Sequence, residues 1–331
     1  MHAIRLHTFG PAENLVYEEV ADPEPAPGQV RIAVAAAGVH LLDTTLRQGD
    51  TGGGPHALPA LPTIPGREVA GTVDALGEGV EPRWLGRRVV AHLGMVPGGY
   101  AEKAVVAVEK LHELPDEVGE DQAIAMIGTG RTTMGLLRLA DLAADDVVVV
   151  TAAAGGIGSL VVQHAKNLGA TVVGLAGGPA KVARVRELGA DVAVDYTAEG
   201  WADQALAALG GAKATVVMDS VGGELARGAV ALLGSGGRHL VISWSSGSPL
   251  ELTEEETAAR GIVSRSLFGG PEWRNLIDTP EKLRALEDEA MAAVASGQLV
   301  PAVQRFPLSE AAAAHRALET RGTMGKVVLT P

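Results

Sequence analysis

Apolar residues change their spacing at about residue 120, and the change divides the chain. Before it, Val- and Ala-rich stretches over residues 30–36, 69–76, 88–92 and 101–106 are short and cut by Gly and Pro. They predict strands of an irregular, mostly β domain. After it, the continuous apolar run 147–151 is followed by glycines and then by a helix-period pattern over 157–168, with Gly169 placed as its C-cap. Strands at 171–175, 192–194, 215–218 and 238–242 then alternate with helices at 180–188, 201–209 and 224–233. Unbroken apolar strands alternating with helices are buried on both faces and joined by right-handed crossovers, so this stretch predicts a doubly wound parallel sheet. Past residue 263 the pattern is mixed. An amphipathic helix at 280–296 and a last strand at 325–330 predict a tail that rejoins the first domain. The expected architecture is α/β: one domain from residues 1–121 and 265–331, and a dinucleotide-binding domain from 122–264.

A chain of 331 residues is long enough for two cores. No apolar run approaches the roughly 20 residues that cross a bilayer, and the opening residues carry no secretory core, which predicts a cytoplasmic protein. The chain has no cysteine, which removes disulfides, thiolate nucleophiles and every zinc site built on sulfur. Its formal net charge of -13 argues against a nucleic-acid partner.

The sharpest local signal is Ala153-Ala154-Gly155-Gly156-Ile157-Gly158, the G-x-G-x-x-G spacing with alanine at the first glycine, directly after a strand and opening a helix. A turn poor in side chains lets backbone N–H groups approach a pyrophosphate, and the helix N-terminus adds positive partial charge. An NAD site places a carboxylate at the end of the second strand to bond the ribose 2′-hydroxyl. Here that strand ends Gly174-Leu175-Ala176-Gly177-Gly178, and Lys181 and Arg184 follow. A 2′-phosphate would meet cations and no repelling acid, so the expected cofactor is NADPH.

Several separated segments agree on a family. Ala35-Ala36-Ala37-Gly38-Val39 with Asp43, Gly66-Arg67-Glu68-Val69-Ala70-Gly71, the glycine loop, Asp219-Ser220-Val221-Gly222-Gly223, and Ala314-His315 through Gly325-Lys326-Val327-Val328-Leu329 together resemble the quinone oxidoreductase branch of the medium-chain dehydrogenase/reductase superfamily. The resemblance implies a GroES-like catalytic domain built from both chain ends, a central Rossmann domain, and a homodimer. Zinc-dependent relatives carry a catalytic cysteine and a Gly-His-Glu motif, whereas this chain reads Gly66-Arg67-Glu68, so no catalytic metal is expected. Lys181, Tyr196 and Arg321 match positions that contact the adenosine 2′-phosphate in NADPH-using members, and Gly177 stands where a serine often helps. Gly174 and Ser220 join the cofactor-binding candidates, and Ser243, Trp244, Leu267 and Phe268 fall where resembling enzymes line the nicotinamide end. Trp84, Trp201 and Trp273 are assigned to packing.

Hydride delivery to a quinone or an enone leaves negative charge on the acceptor oxygen, which hydrogen-bond donors in a dry cleft must meet. His40, which replaces a frequent asparagine, is the first candidate, because imidazole titrates near neutrality and can donate. Thr45, in place of a frequent tyrosine, could supply a hydroxyl. Asp43 is a further candidate, although Asp43 and Arg47 could pair across a helical turn. Thr132 matches a threonine near the nicotinamide or phosphates, with a plain helix N-cap as the other reading. Residues 48–62, with Gly52-Gly53-Gly54-Pro55, read as a mobile loop that could cover the cleft. The small-molecule partner is then a quinone. The alternatives are an NADPH-dependent reductase of α,β-unsaturated carbonyl compounds or enoyl thioesters, or an NADPH-binding protein without turnover.

Overall fold

The computed structural model describes residues 1–51, 57–94 and 96–331. Two compact units divide the chain, Met1–Thr129 with Ala290–Pro331, and Gly130–Glu289.

The second unit is built on a six-stranded sheet, parallel throughout. Its strands lie in the order Val192–Asp195, Thr171–Ala176, Val147–Val150, Ala214–Asp219, Leu233–Val241, Val263–Ser266. Numbered along the chain this is 3-2-1-4-5-6, the doubly wound order, whose direction reverses between Val147–Val150 and Ala214–Asp219. The apolar runs are buried on both faces as expected. Val148, Val149, Val150, Val172, Val173, Val216 and Val217 are all fully buried, because helices such as Gly156–Leu168 and Gly223–Ala231 return each strand to the next. Gly169 ends the first of these helices in the left-handed conformation at φ 93°.

The first unit holds a seven-stranded sheet. Val303–Pro307, Lys326–Thr330, Gln29–Val39, Glu68–Leu76, Arg88–His92 and His112–Glu113 lie side by side, and Lys103–Ala107 pairs on Gln29–Val39. Gln29–Val39 shows why it is central. Val30, Ile32 and Val34 alternate inward with a half-exposed face, and from Ala36 to Val39 every residue is buried, where Lys326–Thr330 pairs with it from the far end of the chain. The tail therefore rejoins the first unit.

The chain leaves the first unit later than the composition predicts and returns to it later. A helix over Glu120–Ile124 continues through a wider π-helical turn, Ala125–Gly130, into Arg131–Ala140, so the division falls inside one helical path. The return comes at residue 290 because the helical stretch 271–289 packs in the second unit. Trp273 is 7% exposed and lies against Gly135, and Glu287 pairs with Arg131 at 2.8 Å. No helix among the described residues is long and apolar enough to cross a membrane.

Candidate active site

In the second unit the glycine loop sits at the point where the strand order reverses. Thr151–Gly155 leaves the strand end, Ala152 takes φ 46°, and Gly155 starts the helix. Gly158 must lack a side chain here. A Cβ on it would stand 2.3 Å from the Ala152 carbonyl oxygen and 2.9 Å from the Ala153 Cα, so the first helical turn lies directly on the loop. Ser220, on the facing strand end, locks the two ends together. Its backbone N–H donates to the Thr151 hydroxyl at 2.8 Å, and its own hydroxyl donates to the Thr151 carbonyl at 3.0 Å. Asp219 is buried beside it and accepts from Thr151 Oγ1, Val221 N and Gly222 N. The loop is thus held in shape by the fold itself.

The second strand ends as read, without a carboxylate, and Gly174 lies buried in its interior, where a Cβ would stand 2.2 Å from Val185 Cγ1. Gly177 has Tyr196 against it: a Cβ would come within 2.9 Å of the tyrosine hydroxyl, so Tyr196 takes the space a side chain at 177 would need. Lys181 lies in the first turn of Pro179–Glu187. A carboxylate from the third strand also lies beside this strand end. Asp195 pairs in register with Ala176, and its Oδ1 accepts from Gly178 N, Thr197 N and Thr197 Oγ1 at 2.6 to 2.9 Å. The sequence concealed it because it ends the third strand and comes beside the second only through parallel pairing.

Further along the same unit, Ser243 follows the fifth strand, its N–H on the Asp219 carbonyl at 3.3 Å. Leu267 is buried and bonded to Val241. Trp244, Phe268 and Trp273 form an aromatic row, with ring centroids 6.4 and 5.0 Å apart. Trp273, assigned to packing, also abuts Phe268. Thr132 is inside a helix, because the helical path runs on from residue 120; the N-cap alternative fails for that reason.

In the first unit a second cluster forms around His40, which opens the helix Leu41–Gln48. This helix is turned inside out: Asp43, Thr44 and Arg47 are buried while Leu41 is 45% exposed. The Asp43 carboxylate accepts the His40 backbone N–H at 2.8 Å and the Tyr100 hydroxyl at 3.0 Å, and lies 3.5 Å from the Arg67 guanidinium. Arg47 instead donates to the Gly10 carbonyl and pairs with Glu319. The pairing of Asp43 with Arg47 across a helical turn therefore does not occur, since each has a partner from another element. Burial alone would raise the Asp43 pKa, but the His40 contacts and the Arg67 charge outweigh it and hold the carboxyl below its usual range. Thr45 returns its hydroxyl to the Leu41 carbonyl at 3.4 Å.

The groups next to the His40 ring are Glu68 and Lys326, neither singled out from sequence as a site residue. His40 Nε2 lies 2.9 Å from Glu68 Oε1, Lys326 Nζ lies 2.7 Å from Glu68 Oε2, and Lys326 Nζ lies in hydrogen-bond geometry 3.0 Å from His40 Nε2. The two Glu68 contacts have ion-pair distances without hydrogen-bond angles. Glu68 is completely buried, and it fits only because Gly38 and Gly128 flank it. A Cβ on Gly38 would stand 2.0 Å from one carboxylate oxygen, and a Cβ on Gly128 would stand 1.7 Å from the other. Burial pushes the Glu68 pKa up, but the His40 and Lys326 charges prevail and hold it well below the usual range. The available signal was one charged residue at the head of each of two apolar runs, Glu68-Val69-Ala70 and Lys326-Val327-Val328. Charge at the start of a fully buried strand calls for a partner.

Also in this unit is a cavity of about 740 Å³ with mostly apolar walls, among them Leu6, Leu46, Leu58 and Pro65, and with Arg47 and Arg67 on its lining. Arg321, at φ 57°, belongs to the first unit. Gly52-Gly53-Gly54-Pro55 of the expected covering loop lies outside the described residues.

Comparison with known proteins matches this geometry at full length. Residues 26–116 match the alcohol dehydrogenase GroES-like domain, and residues 188–329 match the family described as zinc-binding dehydrogenase. A quinone oxidoreductase of Pseudomonas aeruginosa is 35% identical over 99% of both chains. A 2-haloacrylate reductase of a Burkholderia species is 33% identical over 98% of both. The crystal structure of Escherichia coli quinone oxidoreductase complexed with NADPH superposes with a TM-score of 0.83 at 29% identity, covering 100% of each chain. The chain belongs to the medium-chain dehydrogenase/reductase family, in its quinone oxidoreductase branch. It is an enzyme of the oxidoreductase class.

Proposed function

We propose that this enzyme reduces a quinone with NADPH and without a catalytic metal. What carries the reading is a side-chain-poor loop at the point where the strand order reverses, in a chain similar from end to end to quinone oxidoreductases, one of them solved with NADPH. The loop fits a dinucleotide pyrophosphate, since Gly158 lets the first helical turn lie directly on the Ala152–Ala153 backbone. Backbone groups of 153–158 would hold the pyrophosphate. Lys181 and Tyr196 would hold the 2′-phosphate, and Ser243, Trp244, Leu267 and Phe268 would border the nicotinamide end, with Thr132 beside them. When bound, NADPH supplies the hydride.

The residues present do not fit a catalytic zinc. The chain has no cysteine, and Arg67 stands where zinc-dependent relatives carry histidine. Glu68 is already engaged by Lys326 and His40, and among the described residues no group of three acidic or histidine side chains could hold an ion. Charge developing on an acceptor oxygen is then met by His40, the partly exposed member of its cluster, and by water. The apolar cavity supports a compact ring-shaped acceptor over a long thioester arm. A second reading, reduction of an α,β-unsaturated acid, is supported by likeness to the 2-haloacrylate reductase. The resemblance also supports a homodimer.

The test is the initial rate of NADPH oxidation with p-benzoquinone, 1,2-naphthoquinone, 2-chloroacrylate and crotonyl-coenzyme A, with NADH as a parallel donor. Quinones are expected to turn over fastest, with NADPH preferred by about tenfold or more on the strength of charge-assisted bonds to the 2′-phosphate. Turnover of the acrylate alone moves the enzyme to the second reading, and NADPH binding without any turnover refutes both. Asp195→Asn is expected to sharpen the preference for NADPH by roughly threefold in kcat/KM, because it removes one like charge near the 2′-phosphate and keeps the acceptor that Gly178 and Thr197 use. An unchanged NADPH/NADH ratio would show that Asp195 does not face the phosphate.

A further inference from the structure

Glu68 and Lys326 are buried charges, and both meet at one ring nitrogen of His40. Glu68 is 0% and Lys326 4% exposed, against 23% for His40, so the imidazole is the only member of the trio with appreciable access to water. We propose that Glu68 and Lys326 are positioning residues that set the proton affinity of His40 in opposite senses, the carboxylate favouring the imidazolium and the ammonium favouring the neutral ring. That this charge serves an acceptor oxygen rests on the function proposed above.

The geometry gives the pair little freedom. Gly38 and Gly128 confine the carboxylate from two sides, so Glu68 cannot swing away from His40 when the ring titrates. Lys326 donates to His40 Nε2, which leaves Nε2 an acceptor in the neutral ring and places the proton on Nδ1. That nitrogen is buried, without a hydrogen-bond partner, 3.7 Å from Asp43 Oδ2.

The charges facing the ring from every neighbouring element are few. Asp43, on the ring's own helix, is offset by Arg67 and bonded by neutral Tyr100. Glu68 is offset by Lys326, and His92, on the adjoining strand, acts on Glu68. Two anions face two permanent cations, so neutral His40 leaves the cluster balanced. Removing either Glu68 or Lys326 leaves an uncompensated charge about 3 Å from Nε2, where one charge moves a proton equilibrium by about tenfold or more.

The experiment is a pH titration of the His40 ring by NMR in the cofactor-free full-length protein labelled at histidine, with the resonance assigned by its loss in His40→Gln. Relative to the wild type, Glu68→Gln should lower the His40 midpoint by about one pH unit or more, and Lys326→Met should raise it by a similar amount. The wild-type ring nitrogens should report the Nδ1–H tautomer at high pH. The acid limb of kcat for quinone reduction should move with each midpoint. Midpoints that coincide, or that move in one direction in both variants, overturn the inference. Opposite shifts in a protein that reduces no quinone support it while refuting the function it was assigned to. If Glu68→Gln does not fold, the other two readings decide: a raised midpoint in Lys326→Met with an Nδ1–H wild type supports the inference, and an unmoved midpoint or an Nε2–H wild type overturns it.

Discussion

Gly128→Ala is expected to destabilise the protein by about 3 to 5 kcal/mol, the range for breaking a buried ion pair, and to lower its thermal midpoint by roughly 10 °C. The new methyl would stand 1.7 Å from Glu68 Oε1 and 3.3 Å from His40 Nε2. A flexible carboxylate would usually step aside. This one cannot, because Gly38 closes on its other oxygen at a distance that leaves no room for a methyl either. Glu68 must then part from Lys326 and His40, and charges remain inside without partners. Thermal unfolding followed by circular dichroism measures the loss. A double-mutant comparison locates it. Glu68→Ala removes the obstructing group, so Gly128→Ala should cost markedly less in that background than in the wild type. Equal costs in both would mean that the π-helical turn Ala125–Gly130, rather than the carboxylate, is what demands glycine.

The first unit should also weaken on mild acidification because of His315. Its ring is completely buried, its Nε2 lies 3.2 Å from the Tyr100 hydroxyl, and its Nδ1 has no partner. Tyr100 spends its one proton on Asp43, so it accepts from His315 Nε2–H. A second proton on the ring would have to sit at Nδ1, buried and unbonded. Burial accordingly pushes the pKa down from 6.5 to about 4, with Arg47 adding to the effect and Asp43 opposing it. Above pH 6.5 the ring is neutral in both folded and unfolded chains and contributes nothing to the pH dependence. As pH falls from there towards 4, the unfolded chain binds a proton that the folded one refuses, and stability declines by roughly 3 kcal/mol in total. Below about pH 4 this loss stops growing. Asp43 and Glu68, whose carboxyls are held low, then withdraw stability as they are protonated. Urea midpoints at pH 7.0, 5.5 and 4.5 should fall steeply in the wild type and less so in His315→Gln. His164 is shifted the same way by burial, so the difference between the two proteins carries the result. Parallel slopes would show that His315 is not the source.

Much of the architecture was legible along the chain, and the reason is periodicity. Strands such as Val147–Val150 and Thr171–Ala176 are buried on both faces, so their sequences are apolar without interruption, and the glycines that end the helices between them take left-handed conformations. The loop 153–158 was equally plain, because a close approach of backbone to backbone can be met only by very small residues. Elements whose burial depends on partners were not legible. Val263–Ser266 is largely exposed and polar at the edge of its sheet, so nothing in its own composition marks a strand. Leu41–Gln48 buries Asp43, Thr44 and Arg47, and a polar inner face imitates an exposed one.

By itself the sequence determined the doubly wound sheet, the side-chain-poor glycine loop, the return of the tail to the first unit and the family, since each rests on short-range pattern or on motifs read in place. It also supplied the absence of cysteine. Only the tertiary structure decided which charges meet. Glu68, Lys326 and His40 come from three distant segments, Asp195 reaches the second strand through parallel register, and Asp43 turns to Arg67 instead of Arg47. The physical reason is range. Hydrophobic burial and backbone conformation are written over a few neighbouring residues, whereas the partner of a buried charge is whatever the fold brings within about 3 to 4 Å, at any separation along the chain.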